Sequence, residues 1–301
     1  MQVIRIGSRG SDLALWQAHH VKRQLEALGA SVSLTIIKTQ GDQIQHLSFD
    51  KLEGKGFFTK EIEQALMDNT IDLAVHSHKD LETNPPVGLV IAAVSERENP
   101  ADVLLIHPRA VDSNESWNLK QGAVVGTSSA RRKSQLIGFR EDVEIKDIRG
   151  NVPTRLQKLI DGDFDAILLA KAGLDRLQLD LGGMHEEILD PEQFIPAPAQ
   201  GVLALQIREA DRELFEFMQQ LNHVEVQSRI ALERAVLNRL QGGCQLPLGA
   251  YCPEEGRLLV SYAATWDSGT EWFEFEGPHD LEMVDVVLDA LLSEELEEDE
   301  D

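Results

Sequence analysis

Cysteine is scarce in this chain: Cys244 and Cys252 are the only two among 301 residues. Two thiols without a secretory signal argue against a disulfide framework. His76 and His78 lie two apart beside Lys79, His19 and His20 are adjacent, and neither pair combines with a cysteine at zinc-ligand spacing. No metal is therefore expected. No apolar stretch approaches the ~20 residues that cross a bilayer, and Met1-Gln2-Val3-Ile4-Arg5-Ile6 reads as a strand rather than a leader. A cytoplasmic location is the expectation. Base is the other scarcity: 28 Lys and Arg against 52 Asp and Glu leave a net charge of −24, which argues against nucleic acid or an anionic membrane as partner. Seven of those acids fall in residues 294–301, a tail with too little apolar surface to offset its ordering entropy, so disorder is expected there.

The whole chain is 42% hydrophobic, enough for the core of one large domain or of two to three ordinary ones. Strand-like runs alternate with amphipathic helices, which predicts α/β architecture with largely parallel sheets. A strand over 3–7 leads to a helix capped by Ser11 and stopped by Gly29, then a strand over 32–38, a helix over 59–68 and strands over 71–76 and 89–94. After a change of unit near Glu98-Asn99-Pro100 the pattern restarts with strands over 123–126, 143–148 and 165–170. Helices from Ser128 or Ser129 and from Thr154 separate them. Two such units in tandem predict a cleft. Pro196 and Pro198 stiffen a crossover into a strand over 202–207. A small α+β unit follows, with a helix over 226–240, three strands and a helix over 281–292.

Against the acidic background the bases are placed selectively: Arg9, Lys55, Lys60, Lys79, Arg131, Arg132, Arg149, Arg155 and Arg176 stand beside glycine, serine or threonine turns. Gly126-Thr127-Ser128-Ser129-Ala130-Arg131-Arg132 runs from a strand end into a helix start, where free amides, hydroxyls and two guanidinium forks suit a carboxylate or phosphate. The alternative is a capped helix with two solvated arginines. Arg149-Gly150-Asn151-Val152-Pro153-Thr154-Arg155 repeats the arrangement at the next strand end. His76-Ser77-His78-Lys79-Asp80 closes a strand with a lysine for an anion and a carboxylate for a developing cation, or else with a surface ion pair. Gly54-Lys55-Gly56-Phe57-Phe58-Thr59-Lys60 lacks P-loop spacing and reads as a mobile loop over the cleft or, equally, as an ordinary surface loop. Cys244, in Gly242-Gly243-Cys244-Gln245, looks presented on a turn, which leaves disulfide, metal half-site and nucleophile open; Cys252 reads as structural.

In combination these segments resemble porphobilinogen deaminases, also called hydroxymethylbilane synthases. The matching stretches are Ser8-Arg9-Gly10-Ser11 with Leu13 to Ala18, Gly54-Lys55-Gly56, His76 to Asp80, Gly126 to Arg132, Arg149 to Arg155, Ala172-Gly173-Leu174 with Arg176, Gln200-Gly201, Glu233-Arg234-Ala235 and Gly242 to Gln245. They occur in family order along nearly the whole chain.

The resemblance implies two doubly wound α/β domains like those of periplasmic binding proteins and a smaller α+β C-terminal domain. By that reading domain 1 is residues 1–98 with 197–219, domain 2 is 99–196, domain 3 is 220–293, and 294–301 is the tail. It implies a dipyrromethane cofactor joined to Cys244 by a thioether. Four porphobilinogen units would extend it with loss of ammonia, through azafulvene cations, before linear hydroxymethylbilane is hydrolysed off. Asp80 matches the catalytic aspartate. Lys79, Ser77, Thr127, Ser128, Ser129, Arg131, Arg132, Arg149, Gly150 and Gly173 match cofactor-binding positions. Arg9, Ser11, Gln17, Arg149, Arg155, Arg176, Gln200 and Gly201 match substrate-binding positions, and Lys55, Phe58 and Lys60 a mobile loop. A monomer is implied, with its product passed to uroporphyrinogen-III synthase. His78, Asn99 and Pro198-Ala199 depart from the more usual Met, Asp and Val-Gly.

Overall fold

The computed structural model describes residues 3–39, 59–243 and 245–298. These divide into two compact units, one of Met1–Glu98 with Gly201–Ser228, the other of Asn99–Gln200 with Arg229–Asp301.

In the first unit, β1 (Ile4–Ser8), β2 (Val32–Ile36), β3 (Leu73–Ser77), β4 (Leu89–Val94) and β10 (Leu203–Arg208) form one sheet in the order β2-β1-β3-β10-β4. Helix α1 (Asp12–Ala27) starts at Ser11, whose hydroxyl accepts from the Ala14 amide at 3.4 Å, and ends before Gly29 at φ 88°. It buries Ala18, Val21 and Leu25 on Ile4, Ile6, Val75 and Leu205. The opposite face of the sheet is covered by α2 (Lys60–Met67), whose Ile62 and Leu66 join Ile71, Ala74 and Leu89. Apolar surface on both faces is what makes the sheet doubly wound.

The second unit repeats this plan. Its sheet has the order β7-β6-β8-β5-β9, from β5 (Asp102–Ile106), β6 (Val124–Gly126), β7 (Glu144–Lys146), β8 (Ala166–Ala170) and β9 (His185–Ile188). Every residue of β5 is buried. Leu104 and Ile106 pack on one face with Leu136 of α3 (Ala130–Phe139), and Val103 and Leu105 on the other with Leu156 and Leu159 of α4 (Val152–Ile160). Helix α5 (Lys171–Leu177) follows β8 directly. A three-stranded sheet, β11 (Leu248–Glu254), β12 (Arg257–Tyr262) and β13 (Glu271–Glu276), is backed by Val236 of a helix over Val224–Arg239 and by Val284 and Val287 of one over Leu281–Glu298.

Two expectations are corrected. Both large sheets are mixed: β1 is parallel to β2 and β3, and β6 to β7 and β8, but β10 runs against β3 and β4, and β5 against β8 and β9. A strand delivered from remote sequence is free of the β-α-β crossover that enforces parallel pairing. The last helix also continues to Glu298 instead of ending at 292, since Leu and Glu are good helix formers.

Candidate functional site

In the first unit β1 and β3 are parallel neighbours, so Ser8-Arg9-Gly10-Ser11 and Ser77-His78-Lys79-Asp80 leave the sheet at its same, C-terminal edge. A single 3₁₀ turn, His78–Asp80, follows β3 and leaves Asp80 exposed at its last position. Arg9, Ser11, Gln17, Thr59, His76 and Asp80 line one recess. Gln17 is nearly buried and its amide donates to Ser77 Oγ at 2.9 Å, fixing the strand end that aims the turn. Lys79 is half-buried beside it.

Beneath the recess lies a buried polar chain that sequence reasoning missed. Gln206 Nε2 donates to Glu63 Oε1 at 3.0 Å, so its Oε1 accepts from His76 Nε2 at 3.1 Å. That assigns the Nε2–H tautomer. Burial pushes His76 down to about 4, against a smaller opposing effect of the Gln206 hydrogen bond, and the imidazole is neutral. Burial also pushes the Glu63 carboxyl up. The available signal was a glutamate and a glutamine on otherwise apolar faces.

In the second unit, β6, β7 and β8 bring residues 127–132, 148–155 and 171–176 to one sheet edge. Ser129 caps α3, accepting from the Arg132 amide at 3.4 Å. Ser128 Oγ donates to Ile148 O at 2.9 Å and accepts from Ile148 N at 3.1 Å. Its hydroxyl therefore joins two strand ends. Thr127 is buried, and its hydroxyl accepts from the Ser129 amide at 3.3 Å. Asn151 caps α4, accepting from Thr154 N at 3.0 Å. Gly150 has φ 110°, and a Cβ there would stand 2.7 Å from Thr154 Cγ2, so only glycine fits. Arg155 Nε donates to Gly150 O at 2.8 Å, turning the side chain back along its own loop. Arg149 is half-buried, and Arg176 and Gly173 are buried.

Arg131 and Arg132 are not the solvated pair of the bland reading. Both are buried, and both bind one carboxylate: Arg131 Nη2 reaches Asp102 Oδ2 at 2.7 Å, and Arg132 Nη2 reaches Oδ1 at 2.8 Å. Their Nη1 groups donate to Ile195 O at 2.7 Å and Leu168 O at 3.1 Å. Arg132 Nε is buried with no hydrogen-bond partner among the described residues. Desolvation pulls Arg131 below the usual guanidinium range, opposed by Asp102 and reinforced by Arg132. Gln200 is fully buried, and its amide donates to Asp102 Oδ1 at 2.9 Å and to Pro100 O at 2.7 Å, so it braces the cluster. Gly201, in the first unit, has φ 90°, with Glu98 O only 2.4 Å from where a Cβ would stand.

Behind the cluster, buried Glu233 accepts from Ala199 N at 2.7 Å and from Cys252 N at 2.9 Å, tying the proline crossover to β11. Cys252 is fully buried and donates through Sγ to Glu254 O at 2.9 Å. Cys244, Lys55 and Phe58 lie outside the described residues; Lys60 is exposed at the first position of α2. Among the described residues no three His, Cys, Asp or Glu could hold a metal ion, and no helix is long and apolar enough to cross a membrane.

The described geometry is thus a carboxylate beside a polar recess in one unit and an excess of buried guanidinium in the other. Two family models match the chain: porphobilinogen deaminase, dipyromethane cofactor binding domain, over residues 4–216, and porphobilinogen deaminase, C-terminal domain, over residues 228–261. The chain belongs to the porphobilinogen deaminase family. The porphobilinogen deaminase of Nitratidesulfovibrio vulgaris (strain DP4) is 46% identical over 260 residues, 85% of this chain and 80% of the relative. That of Bacillus velezensis is 41% identical over 299 residues, 98% and 94% of the two chains. That of Bacillus subtilis is 44% identical over 259 residues, 85% and 81%. Among solved structures, the periplasmic VFT2 domain of Bordetella pertussis BvgS is similar at a TM-score of 0.44 and 13% identity, covering 77% of this chain and 93% of that one.

Proposed function

We propose that this chain is a cytoplasmic transferase that condenses four porphobilinogen units head to tail onto a dipyrromethane attached to Cys244. One ammonia is lost per unit, and hydrolysis releases linear hydroxymethylbilane for the synthase that closes the ring. The observation that carries this is the pairing of two buried guanidiniums with a single carboxylate. Such a cluster holds one positive charge in excess and, among the described residues, a buried Nε–H without an acceptor. It fits a group bearing several acetate and propionate carboxylates, whose oxygens take charge-assisted hydrogen bonds.

When bound, the dipyrromethane supplies a nucleophilic pyrrole carbon and a tether. Arg131, Arg132, Arg149 and Lys79 would hold its carboxylates, Thr127 and Ser129 would order the α3 amides around them, and Gly150 and Gly173 would let backbone approach closely. Arg9, Ser11, Arg155 and Arg176 would bind carboxylates of the incoming pyrrole. Asp80, exposed beside the recess, would sit near the pyrrole N–H and stabilise the positive charge that develops as ammonia leaves. Ser77 and Gln17 keep the turn that carries it in place.

Intact mass tests the reading. Purified protein should carry the added mass of a dipyrromethane, and Cys244→Ser should lack it while remaining folded. A folded wild-type chain of unmodified mass that binds anions but makes no product would replace this reading with a non-catalytic anion-binding protein.

A further inference from the structure

Asp102 is the first residue of β5, paired with Ala170 across the sheet, and has no exposed surface. Among the described residues two guanidiniums and one side-chain amide converge on its two oxygens, at 2.7, 2.8 and 2.9 Å. One carboxylate cannot neutralise two guanidiniums, and buried charge without compensation is strongly unfavourable unless an anion arrives to complete it. The arrangement has a second property. Each arginine is held at its Nη groups, by Asp102 on one side and by a main-chain carbonyl on the other, Ile195 for Arg131 and Leu168 for Arg132. Flexible side chains are thereby fixed before any ligand binds, which lowers the ordering cost of binding.

We infer that Asp102 is a positioning residue for cofactor loading: a shared counter-charge that locks the Arg131 and Arg132 forks in one register while leaving the cluster with one positive charge in excess. Gln200 assists by donating to the same carboxylate, which leaves Oδ1 with two donors and unable to swing toward either arginine alone. The inference rests on the reading of the cluster as the cofactor's carboxylate site.

The test is loading of the full-length protein prepared without cofactor, incubated with porphobilinogen and followed by intact mass, beside circular dichroism and a thermal melt. Wild type gains the dipyrromethane mass; if it does not, the cofactor reading itself fails, whatever Asp102 does. Asp102→Asn keeps the shape and removes the charge. The expected result is a folded protein that gains mass at least ten-fold more slowly, with Asp102→Glu restoring part of the rate. A folded Asp102→Asn that loads within two-fold of wild type overturns the inference, because a purely structural carboxylate would alter the melt and not the loading. Should Asp102→Asn not fold, Asp102→Glu carries the test alone. It keeps the charge and shifts the carboxylate by one methylene, so slowed loading of a folded protein upholds the assignment and wild-type loading overturns it.

Discussion

The Asp80 recess and the Arg131–Arg132 cluster stand at the same kind of edge, the C-terminal ends of parallel strands, and treat charge in opposite ways. In the first unit the carboxylate is exposed on one 3₁₀ turn, and the groups below it, His76 and Gln206, are neutral. In the second unit three charged groups are buried together and do not cancel. A residue that meets a transient cation needs access and loses little by standing in water. Residues that hold a permanent anion gain from a low dielectric, where a charge-assisted bond is strong. On the proposed function, the same α/β plan yields a reacting edge and a gripping edge.

The largest way to break this comparison is at Asp80. Asp80→Ala removes the only carboxylate that the described residues place in the recess lining and should lower turnover by at least ~10²-fold, the size expected when a group that stabilises transition-state charge is lost. Loading of Cys244 should survive, because the gripping edge is untouched. Steady-state product formation beside intact mass reads both. Near-normal turnover would remove Asp80 from the chemistry, and simultaneous loss of loading would erase the division of labour between the two edges.

A second prediction sharpens the neutrality of the first edge. His76 has a folded value of about 4 against an ordinary 6.5, so the unfolded chain binds the extra proton between those values. Its contribution to stability is complete above about pH 6.5 and is lost as pH falls toward 4, on the order of 3 kcal/mol in total. Glu63 has the opposite sign: its raised carboxyl favours the fold fully below 4.5 and that share is lost as pH rises. Asp72, held at about 2 by Arg5 and Arg208 against its own desolvation, titrates below this window. Denaturant unfolding at several values between pH 4 and 7 should therefore show wild type losing stability faster than His76→Gln. Parallel curves for the two proteins would contradict a neutral, buried imidazole.

How far the sequence could be read follows the same division. Ser11, Ser129 and Gly29 mark helix ends by local chemistry, and those ends lie where expected. β5 escaped because Asp102-Val103-Leu104-Leu105-Ile106 has no alternation: a strand buried on both faces shows no period. β9 escaped for the converse reason, since His185-Glu186-Glu187-Ile188 is a polar edge strand. Arg131 and Arg132 were legible as two guanidiniums at a strand end and helix start, but their counter-charge was not. An aspartate opening an apolar run reads as a strand boundary until the pairing with β8 places it under α3. The inward bonds of Gln200 were hidden likewise, as a glutamine beside glycine looks like a loop contact and only the fold reveals that its amide reaches Asp102.

The smallest effect is expected in the crossover behind the gripping edge. Ala199 holds φ at 60°, in the left-handed region, with its amide fixed by Glu233 at 2.7 Å. That conformation costs an L residue roughly 1–2 kcal/mol, whereas glycine accepts it at an entropic cost of roughly 0.5–1 kcal/mol. Ala199→Gly should accordingly raise stability by about 0.5–1 kcal/mol, read as a higher urea midpoint at unchanged slope. Loading and turnover should not change, because Gln200 and Asp102 keep their bonds. The sign is the informative part. Ala199 is completely buried, and deleting one buried methyl typically costs about 1 kcal/mol when the methyl is well packed. A lower midpoint would mean that packing outweighs backbone strain at this position.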